Sequence, residues 1–185
     1  MHKTISALNT HEYFMQKALL QAKKALNNKE FPVGCVIVYE NQIVATGKRS
    51  NSYKNITEFD HAEMIALKKL LSCSKKINFQ KAIIYSTMEP CLMCFCTLLV
   101  NGIRNYVYSY EDVMGGGTNL PLQQLSPLYK NMKITITKNI LREKSLHLFK
   151  IFFNLAECNY LKDSLLSNYT LKQPLNIKHN NLYEK

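Results

Sequence analysis

The chain contains two kinds of hydrophobic pattern, and the period of each one distinguishes predicted helices from predicted strands. Apolar residues recur at helical spacing in four segments, at 11–27, 60–72, 90–100 and 140–166. Short apolar runs rich in β-branched and aromatic residues, which are typical of strands, lie at 35–39, 43–47, 82–86, 104–109 and 132–137. The pattern therefore predicts long helices interspersed with five strands.

The lengths of the connections predict how these strands pair. Residues 40–42 make a short turn, so the first two strands are expected to form a hairpin. The connection at 110–131, with a short helix expected at 120–129, is long enough for the crossover that parallel strands require. The sequence thus predicts an α/β fold in which helices cover both sides of a mixed five-stranded sheet.

Length and composition predict a folded protein with one main domain. A chain of 185 residues, 46% of them hydrophobic and 20% charged, is typical of a globular domain and excludes a disordered chain. We expect a domain at 1–167 and a basic, partly disordered C-terminal tail at 168–185. No apolar run approaches the roughly 20 residues of a membrane span, and residues 1–10 lack the apolar core of a secretory signal. We therefore expect a cytoplasmic protein without membrane contact.

The charge of the chain favours a polyanionic partner. Lys and Arg number 24 against 13 Asp and Glu, which gives a formal net charge of +11. Nucleic acid is the commonest partner of so basic a surface, and a solvated face of lysines is the alternative. Four of the basic residues lie at or near the start of the last predicted helix, where they cannot all share one face: Lys138, Arg142, Lys144 and Lys150.

Cysteine and histidine spacing predicts a metal site. Cys91 and Cys94 are three residues apart at a helix start, so both thiols lie on one face and can chelate one zinc ion. His61, at the start of another helix, is the candidate third ligand, whereas Cys96 lies on a different face of its helix. Three protein ligands leave the fourth position of a zinc ion to water, which is typical of a catalytic site.

Glu63 has two interpretations. Beside a metal-activated water, its carboxylate can act as general acid and base. Alternatively, the run from Asp60 to Glu63 fits a capping box, in which Asp60 caps the helix and Glu63 reaches back to its N–H.

The run His61-Ala62-Glu63, followed by Pro90-Cys91-Leu92-Met93-Cys94, resembles the signature of zinc-dependent deaminases. On these motifs the chain resembles the cytidine/deoxycytidylate deaminase superfamily, and within it the bacterial tRNA adenosine deaminases. The resemblance implies a cytidine deaminase-like three-layer α/β/α sandwich that assembles as a homodimer. It implies that His61, Cys91 and Cys94 bind Zn²⁺ and that Glu63 carries protons. It also implies substrate contacts at Val33, Asn51 and Asp112.

The implied reaction is hydrolytic deamination of the wobble adenosine of tRNA to inosine. A deaminase of a free nucleobase, nucleoside or nucleotide, of guanine or cytosine type, is the first alternative, and one that acts on DNA is another. A nucleic-acid-binding module with a structural zinc is an alternative of a different class, marked by a fourth protein ligand. The chain departs from the family at 47–51, where Asn51 is the equivalent by position after the second strand, at Asp60, and at 111–118 with its glycine run. These positions form the expected substrate mouth, so the sequence leaves open which base is deaminated.

Overall fold

A computed structural model describes residues 7–54, 56–73, 76–157 and 159–175. Its helices are α1 (Ala7–Asn27), α2 (Ala62–Leu71), α3 (Leu92–Val100), α4 (Pro127–Lys130), α5 (Arg142–Asn154) and α6 (Leu165–Lys172). Its strands are β1 (Gly34–Tyr39), β2 (Gln42–Lys48), β3 (Ile83–Met88), β4 (Asn105–Tyr110) and β5 (Thr135–Thr137). Single 3₁₀ turns lie at Glu58–Asp60, Phe79–Lys81 and Leu122–Gln124. Most of the predicted tail, 176–185, lies outside the described residues.

The sheet is mixed and has five strands in the order β2-β1-β3-β4-β5. Strand β1 is antiparallel to β2 and to β3, whereas β3, β4 and β5 run parallel. The β1–β2 hairpin turns at Glu40 and Asn41, whose φ angles of 50° and 58° match the two-residue turn that suits the twist of paired strands. The predicted hairpin and the predicted parallel crossover between β4 and β5 are both confirmed.

Helices cover both faces of this sheet. Alternate residues of β1 point to opposite sides, as the pleat requires. Val36 and Val38 pack with Met15 of α1, in a cluster that also contains Leu148 of α5. Cys35 and Ile37 join the cluster formed by α2 and α3 on the other face. The expected three-layer α/β/α sandwich is therefore confirmed.

Two glycines allow helices to lie directly against the strands. A side chain at Gly34 would meet the backbone of Ala18 in α1 at 2.2 Å, and one at Gly47 would meet the carbonyl oxygen of Ala62 at 1.9 Å. Real Cβ atoms do not approach backbone so closely, so both positions need glycine. Gly47 thereby sets how closely the start of α2, beside His61, approaches the sheet.

The C-terminal region differs from the prediction of one helix at 140–166. Helix α5 ends at Asn154, and Leu155 continues in an extended conformation. Leu161 and Asp163 then adopt positive φ angles of 56° and 59°, which no helix accommodates. We call residues 155–164 the connecting segment. It leads into α6, which crosses the expected boundary between 167 and 168.

The helix expected at 120–129 is two short turns. Within the described ranges, no helix combines the length and apolar character needed to cross a bilayer.

Candidate metal centre and active-site cavity

Two helix starts bring the predicted zinc ligands together. His61 is the N-cap of α2 and Cys91 is the N-cap of α3, while Cys94 lies in the first turn of α3. Nδ1 of His61 lies 3.5 Å from Sγ of Cys91 and 3.4 Å from Sγ of Cys94. The three donor atoms all lie within 4.8 Å of one another. The helix predicted at 90–100 included Pro90, which instead precedes the N-cap.

The geometry of this cluster fits a zinc ion. Bond lengths of about 2.3 Å to sulfur and about 2.0 Å to nitrogen, at a tetrahedral angle, place nitrogen and sulfur about 3.5 Å apart. The two observed nitrogen–sulfur distances are 3.5 and 3.4 Å. Among the described residues the cluster holds three donors, so a fourth position stays open, as in a catalytic zinc site.

The three candidate ligands differ in the direction of their pKa shifts. The hydrogen bond from the Cys94 thiol, with help from His61, lowers the pKa of Cys91 to about 4. The same hydrogen bond and burial raise the pKa of Cys94. Burial lowers the pKa of His61, but its hydrogen bond to Cys91 and the charge of Glu63 outweigh burial and raise the pKa to about 9. These shifts favour the thiolate form of Cys91 and the protonated forms of Cys94 and His61.

Zinc affinity is expected to rise steeply with pH. Zinc needs a neutral imidazole and two thiolates, so binding at neutral pH displaces one proton from His61 and one from Cys94. Release of two protons makes the apparent affinity rise about 100-fold per pH unit between about pH 6 and 8. Competition with a chelator of known pH dependence measures the slope. An affinity that does not change with pH would contradict these protonation states.

Glu63 lies in the first turn of α2, with a carboxylate that is buried beside the ligands. Glu63 is only 3% exposed. Its Oε1 accepts a hydrogen bond of 2.8 Å from the Ser86 hydroxyl, and its Oε2 lies 3.8 Å from Sγ of Cys94. Burial raises the pKa of Glu63. The N-cap of α2 is His61, with no side-chain capping bond, so the capping-box alternative with Asp60 as cap is wrong.

A cavity of about 400 Å³ opens beside the metal cluster. His61, Glu63 and Cys91 line it, and the predicted substrate contacts Val33 and Asp112 also lie in its wall. Cys94 is fully buried next to it. The rest of the lining is largely apolar and includes Phe31, Met88, Leu92, Met93, Met114, Leu161 and Leu166. The structure thus brings six of the seven predicted site residues to one place.

Asn51 is the exception. It does not line the cavity, and its side-chain amide donates a 2.6 Å hydrogen bond to Asp60 at the surface. The backbone N–H of Arg49 still bonds to Val33, but Asn51 has a φ of 54°, which turns the chain away. Arg49, which the sequence did not single out, lines the cavity in its place.

Asp112 holds the loop that closes another side of the cavity. Its Oδ1 accepts hydrogen bonds from the backbone of Met114 at 3.0 Å and of Gly115 at 2.9 Å, and burial raises its pKa. The N–H of Gly117 donates to Pro90, and a side chain at Gly117 would lie 2.6 Å from Cα of Leu92. The glycine run therefore packs this loop against the start of α3.

Glu58 and Tyr160 also line the cavity, and no motif marked them in the sequence. Glu58 lies in the 3₁₀ turn before α2, where its Oε2 is 2.8 Å from Nε2 of His61. Tyr160 comes from the connecting segment and donates hydrogen bonds to Glu58 at 3.0 and 3.2 Å. The helical pattern at 140–166 gave no signal that residue 160 would leave α5 and reach this site.

The fold and the site define a metal-binding α/β/α protein with a three-donor centre at two helix starts. A family model for the cytidine and deoxycytidylate deaminase zinc-binding region matches residues 8–110, more than half of the chain. The chain belongs to this family, and its cofactor is Zn²⁺, which the His/Cys/Cys donor set fits.

Two similar proteins are both named as tRNA-specific adenosine deaminases. The tRNA-specific adenosine deaminase 2 of Xenopus tropicalis is 40% identical over 111 residues, which cover 56% of this chain and 64% of that protein. The chain therefore spans less than two thirds of this relative. The tRNA-specific adenosine deaminase of Streptococcus pyogenes serotype M18 is 28% identical over 147 residues, which cover 80% of this chain and 92% of that protein.

Solved structures share the fold. One from a study of A-to-I editing by tRNA:A34 deaminases has a TM-score of 0.59 at 22% identity, covering 74% of this chain and 98% of that chain. The Thermotoga maritima diaminohydroxyphosphoribosylaminopyrimidine deaminase/5-amino-6-(5-phosphoribosylamino)uracil reductase has a TM-score of 0.62 at 26% identity, covering 79% of this chain and 41% of that chain. These likenesses confirm the expected cytidine deaminase-like fold.

Proposed function

We propose that this chain is a zinc-dependent hydrolytic deaminase that converts adenosine to inosine at the wobble position of tRNA. The observation that carries the chemistry is the buried carboxylate of Glu63, which lies against the metal ligands in the wall of an apolar cavity. The names of the relatives from Xenopus tropicalis and Streptococcus pyogenes support adenosine in tRNA as the substrate.

In the proposed site His61, Cys91 and Cys94 hold the zinc ion. A bound zinc would lower the pKa of a water molecule toward about 7 and so supply the nucleophile at neutral pH. Glu63 would take one proton from the attacking water, give it to the ring nitrogen, and carry the second proton of that water to the departing ammonia. Ser86 holds Oε1 of Glu63 at 2.8 Å, which leaves Oε2 on the side of the metal ligands. Water and the exocyclic amine thus become a ring carbonyl and ammonia.

The cavity supports a single extruded nucleotide as the substrate. Its volume of about 400 Å³ falls in the ordinary range of small-molecule sites. A base inside folded RNA must leave its stack to enter such a pocket. Phe31, Val33 and Leu92 provide apolar walls for the ring. Oδ1 of Asp112 is engaged with the loop backbone, which leaves Oδ2 for the sugar hydroxyls. We propose no base contact for Asn51 in this arrangement, since its side chain bonds to Asp60.

Incubation of the zinc-loaded protein with a tRNA that carries adenosine at the wobble position tests this function. Digestion to nucleosides and mass spectrometry should reveal inosine, and a tRNA with guanosine at that position is the matched control. Parallel reactions contain free adenosine, cytidine, guanine and single-stranded DNA. Deamination of one of these with none in tRNA would overturn the substrate assignment while keeping the chemistry.

We also propose a cytoplasmic homodimer. The five described cysteines form no disulfide, which suits a reducing compartment. Helix α3 is strongly apolar, yet Leu92 is 54% exposed and Val100 is 57% exposed. Leu92 lines the cavity, so Val100 is the proposed centre of the dimer contact. Light scattering on the purified protein should give twice the mass of the chain, and a Val100→Glu variant should shift it toward the monomer.

We expect Lys138 and Lys144 to contribute to the salt dependence of tRNA binding. Arg142 pairs with Glu111, and Lys150 donates to the carbonyl of Leu171 at 3.0 Å, so both are engaged within the protein. Lys138 and Lys144 are exposed, and Lys138 shares a surface groove with the cavity residue Asp112.

The double variant Lys138→Gln/Lys144→Gln should bind every tRNA more weakly. It should flatten the plot of log affinity against log salt by roughly 0.7–0.9 per lost phosphate contact. Filter binding between low and moderate salt measures this slope. Lys23→Gln, at an exposed position of α1, is the control. An unchanged slope in the double variant would show that Lys138 and Lys144 are solvated and do not contact phosphates.

A further inference from the structure

Glu58, Arg49 and Tyr160 form a connected group on the outer side of the metal ligand His61. The three residues come from separate parts of the chain: the turn before α2, the residue after β2 and the connecting segment. None of them belongs to the motif that identifies the metal site, and all three line the cavity.

The His61 ring is held from both sides. Nδ1 faces the two thiols at 3.5 and 3.4 Å, whereas Nε2 lies 2.8 Å from Oε2 of Glu58. When Nδ1 binds a metal, Nε2 carries the proton and can donate it only outward. A carboxylate at this position fixes the tautomer, orients the ring and makes the imidazole a stronger ligand.

Glu58 by itself is poorly placed to hold a fixed geometry, because its side chain is 58% exposed. Tyr160 supplies the missing restraint. Its hydroxyl donates to Oε2 at 3.0 Å and to Oε1 at 3.2 Å, and its ring packs 5.3 Å from Phe31. The carboxylate is thus held both by His61 and by a residue 102 positions away in sequence.

The buried Arg49 contacts both Glu58 and Tyr160 from the interior of the protein. It is 2% exposed, and Nη2 lies 3.4 Å from both Glu58 Oε2 and the Tyr160 hydroxyl. Its guanidinium carbon stacks 5.2 Å from the Tyr160 ring centre. Nε and Nη1 have no hydrogen-bond partner among the described residues, so Glu58 is the anion that compensates for this buried charge.

We propose that Glu58 is a positioning residue for the zinc ligand His61, and that Tyr160 and Arg49 hold Glu58 in its working orientation. The connecting segment thereby stabilises the metal centre from outside the zinc-binding motif. This inference rests on the ligand assignment in the proposed function.

The test is zinc affinity, measured by chelator competition on the full chain. Glu58→Ala should weaken zinc binding about 10–100-fold, which is the usual cost of losing an outer partner of a metal-bound histidine. Glu58→Gln retains an acceptor for Nε2–H and should recover part of that loss. Tyr160→Phe keeps both charges and the ring, and it should weaken zinc binding in the same direction by less than Glu58→Ala does.

Tyr169→Phe is the matched control. Its hydroxyl also donates to a glutamate, Glu111, at 2.7 Å, but it does not touch His61 or its partners. The control should retain wild-type zinc affinity. The visible spectrum of the cobalt-substituted protein gives a second readout, because a change in the His61 ligand field should shift the bands of Tyr160→Phe and leave those of Tyr169→Phe in place.

The outcomes separate the two proposals. A wild-type protein that binds no zinc overturns the ligand assignment itself. A wild-type protein that binds zinc, together with Tyr160→Phe and Glu58→Gln variants of unchanged affinity and spectrum, overturns the positioning role alone. If Glu58→Ala does not fold because Arg49 loses its anion, Tyr160→Phe decides the matter.

Discussion

Replacement of Glu63 by glutamine should lower turnover about 10²–10⁴-fold, the usual contribution of a general acid–base group. The glutamine side chain has almost the same shape and can still accept the hydrogen bond that Ser86 donates at 2.8 Å. It cannot take up and release a proton, so the attack of water and the departure of ammonia both slow down. Steady-state kinetics on the tRNA substrate, with zinc content measured in parallel, checks the result.

The zinc content of Glu63→Gln should remain one ion per chain, because Glu63 lies beside the donor cluster without being part of it. Glu12→Gln on α1 removes a carboxylate outside the cavity lining and should leave turnover unchanged. Near-normal turnover in Glu63→Gln, with zinc present, would show that another group moves the protons. Loss of zinc would instead make Glu63 part of the metal site.

Replacement of Cys94 by alanine should remove zinc and destabilise the protein. A ligand that binds only the folded state stabilises it by about 4 kcal/mol when its concentration is 1,000 times the dissociation constant. Cys94 is fully buried in the first turn of α3, so its loss removes both a donor and packed volume next to the cavity. Thermal unfolding with and without excess chelator measures the effect.

Chelator should lower the melting temperature of the wild type and hardly change that of Cys94→Ala. Cys91→Ala should behave in the same way, since its sulfur is the other thiol that faces His61. Cys96→Ala is the matched control, because Cys96 belongs to the same helix but not to the donor cluster. A Cys94→Ala protein that keeps one zinc at unchanged affinity would refute the ligand assignment.

The metal centre could be predicted from sequence because its geometry is local. Cys91 and Cys94 are one helical turn apart, and His61 and Glu63 lie within two residues at another helix start. That the two helix starts lie next to each other in space could be predicted only from the family signature. The parallel pairing of β4 and β5 was predictable for a similar reason, since the length of the connection constrains it.

The rest of the cavity wall depends on packing between distant segments. Tyr160 reaches Glu58 because α5 ends at Asn154 and the connecting segment turns back over the cavity, yet the hydrophobic pattern there continues with helical spacing. The resemblance to the tRNA adenosine deaminases implied a substrate contact at Asn51. The positive φ of Asn51 directs its side chain to Asp60 instead, and such a backbone turn cannot be predicted from sequence spacing.

The most direct test of the account is deamination in water enriched in heavy oxygen. Zinc-loaded wild-type protein, incubated with tRNA that has adenosine at the wobble position, should yield inosine with one heavy oxygen atom per base, since hydrolysis takes the new carbonyl oxygen from solvent. The Glu63→Gln protein should yield little inosine over the same period. Inosine without the heavy atom would contradict hydrolysis, and the absence of any deaminated product from tRNA, nucleosides, free bases and DNA would contradict the assignment of this site as a deaminase.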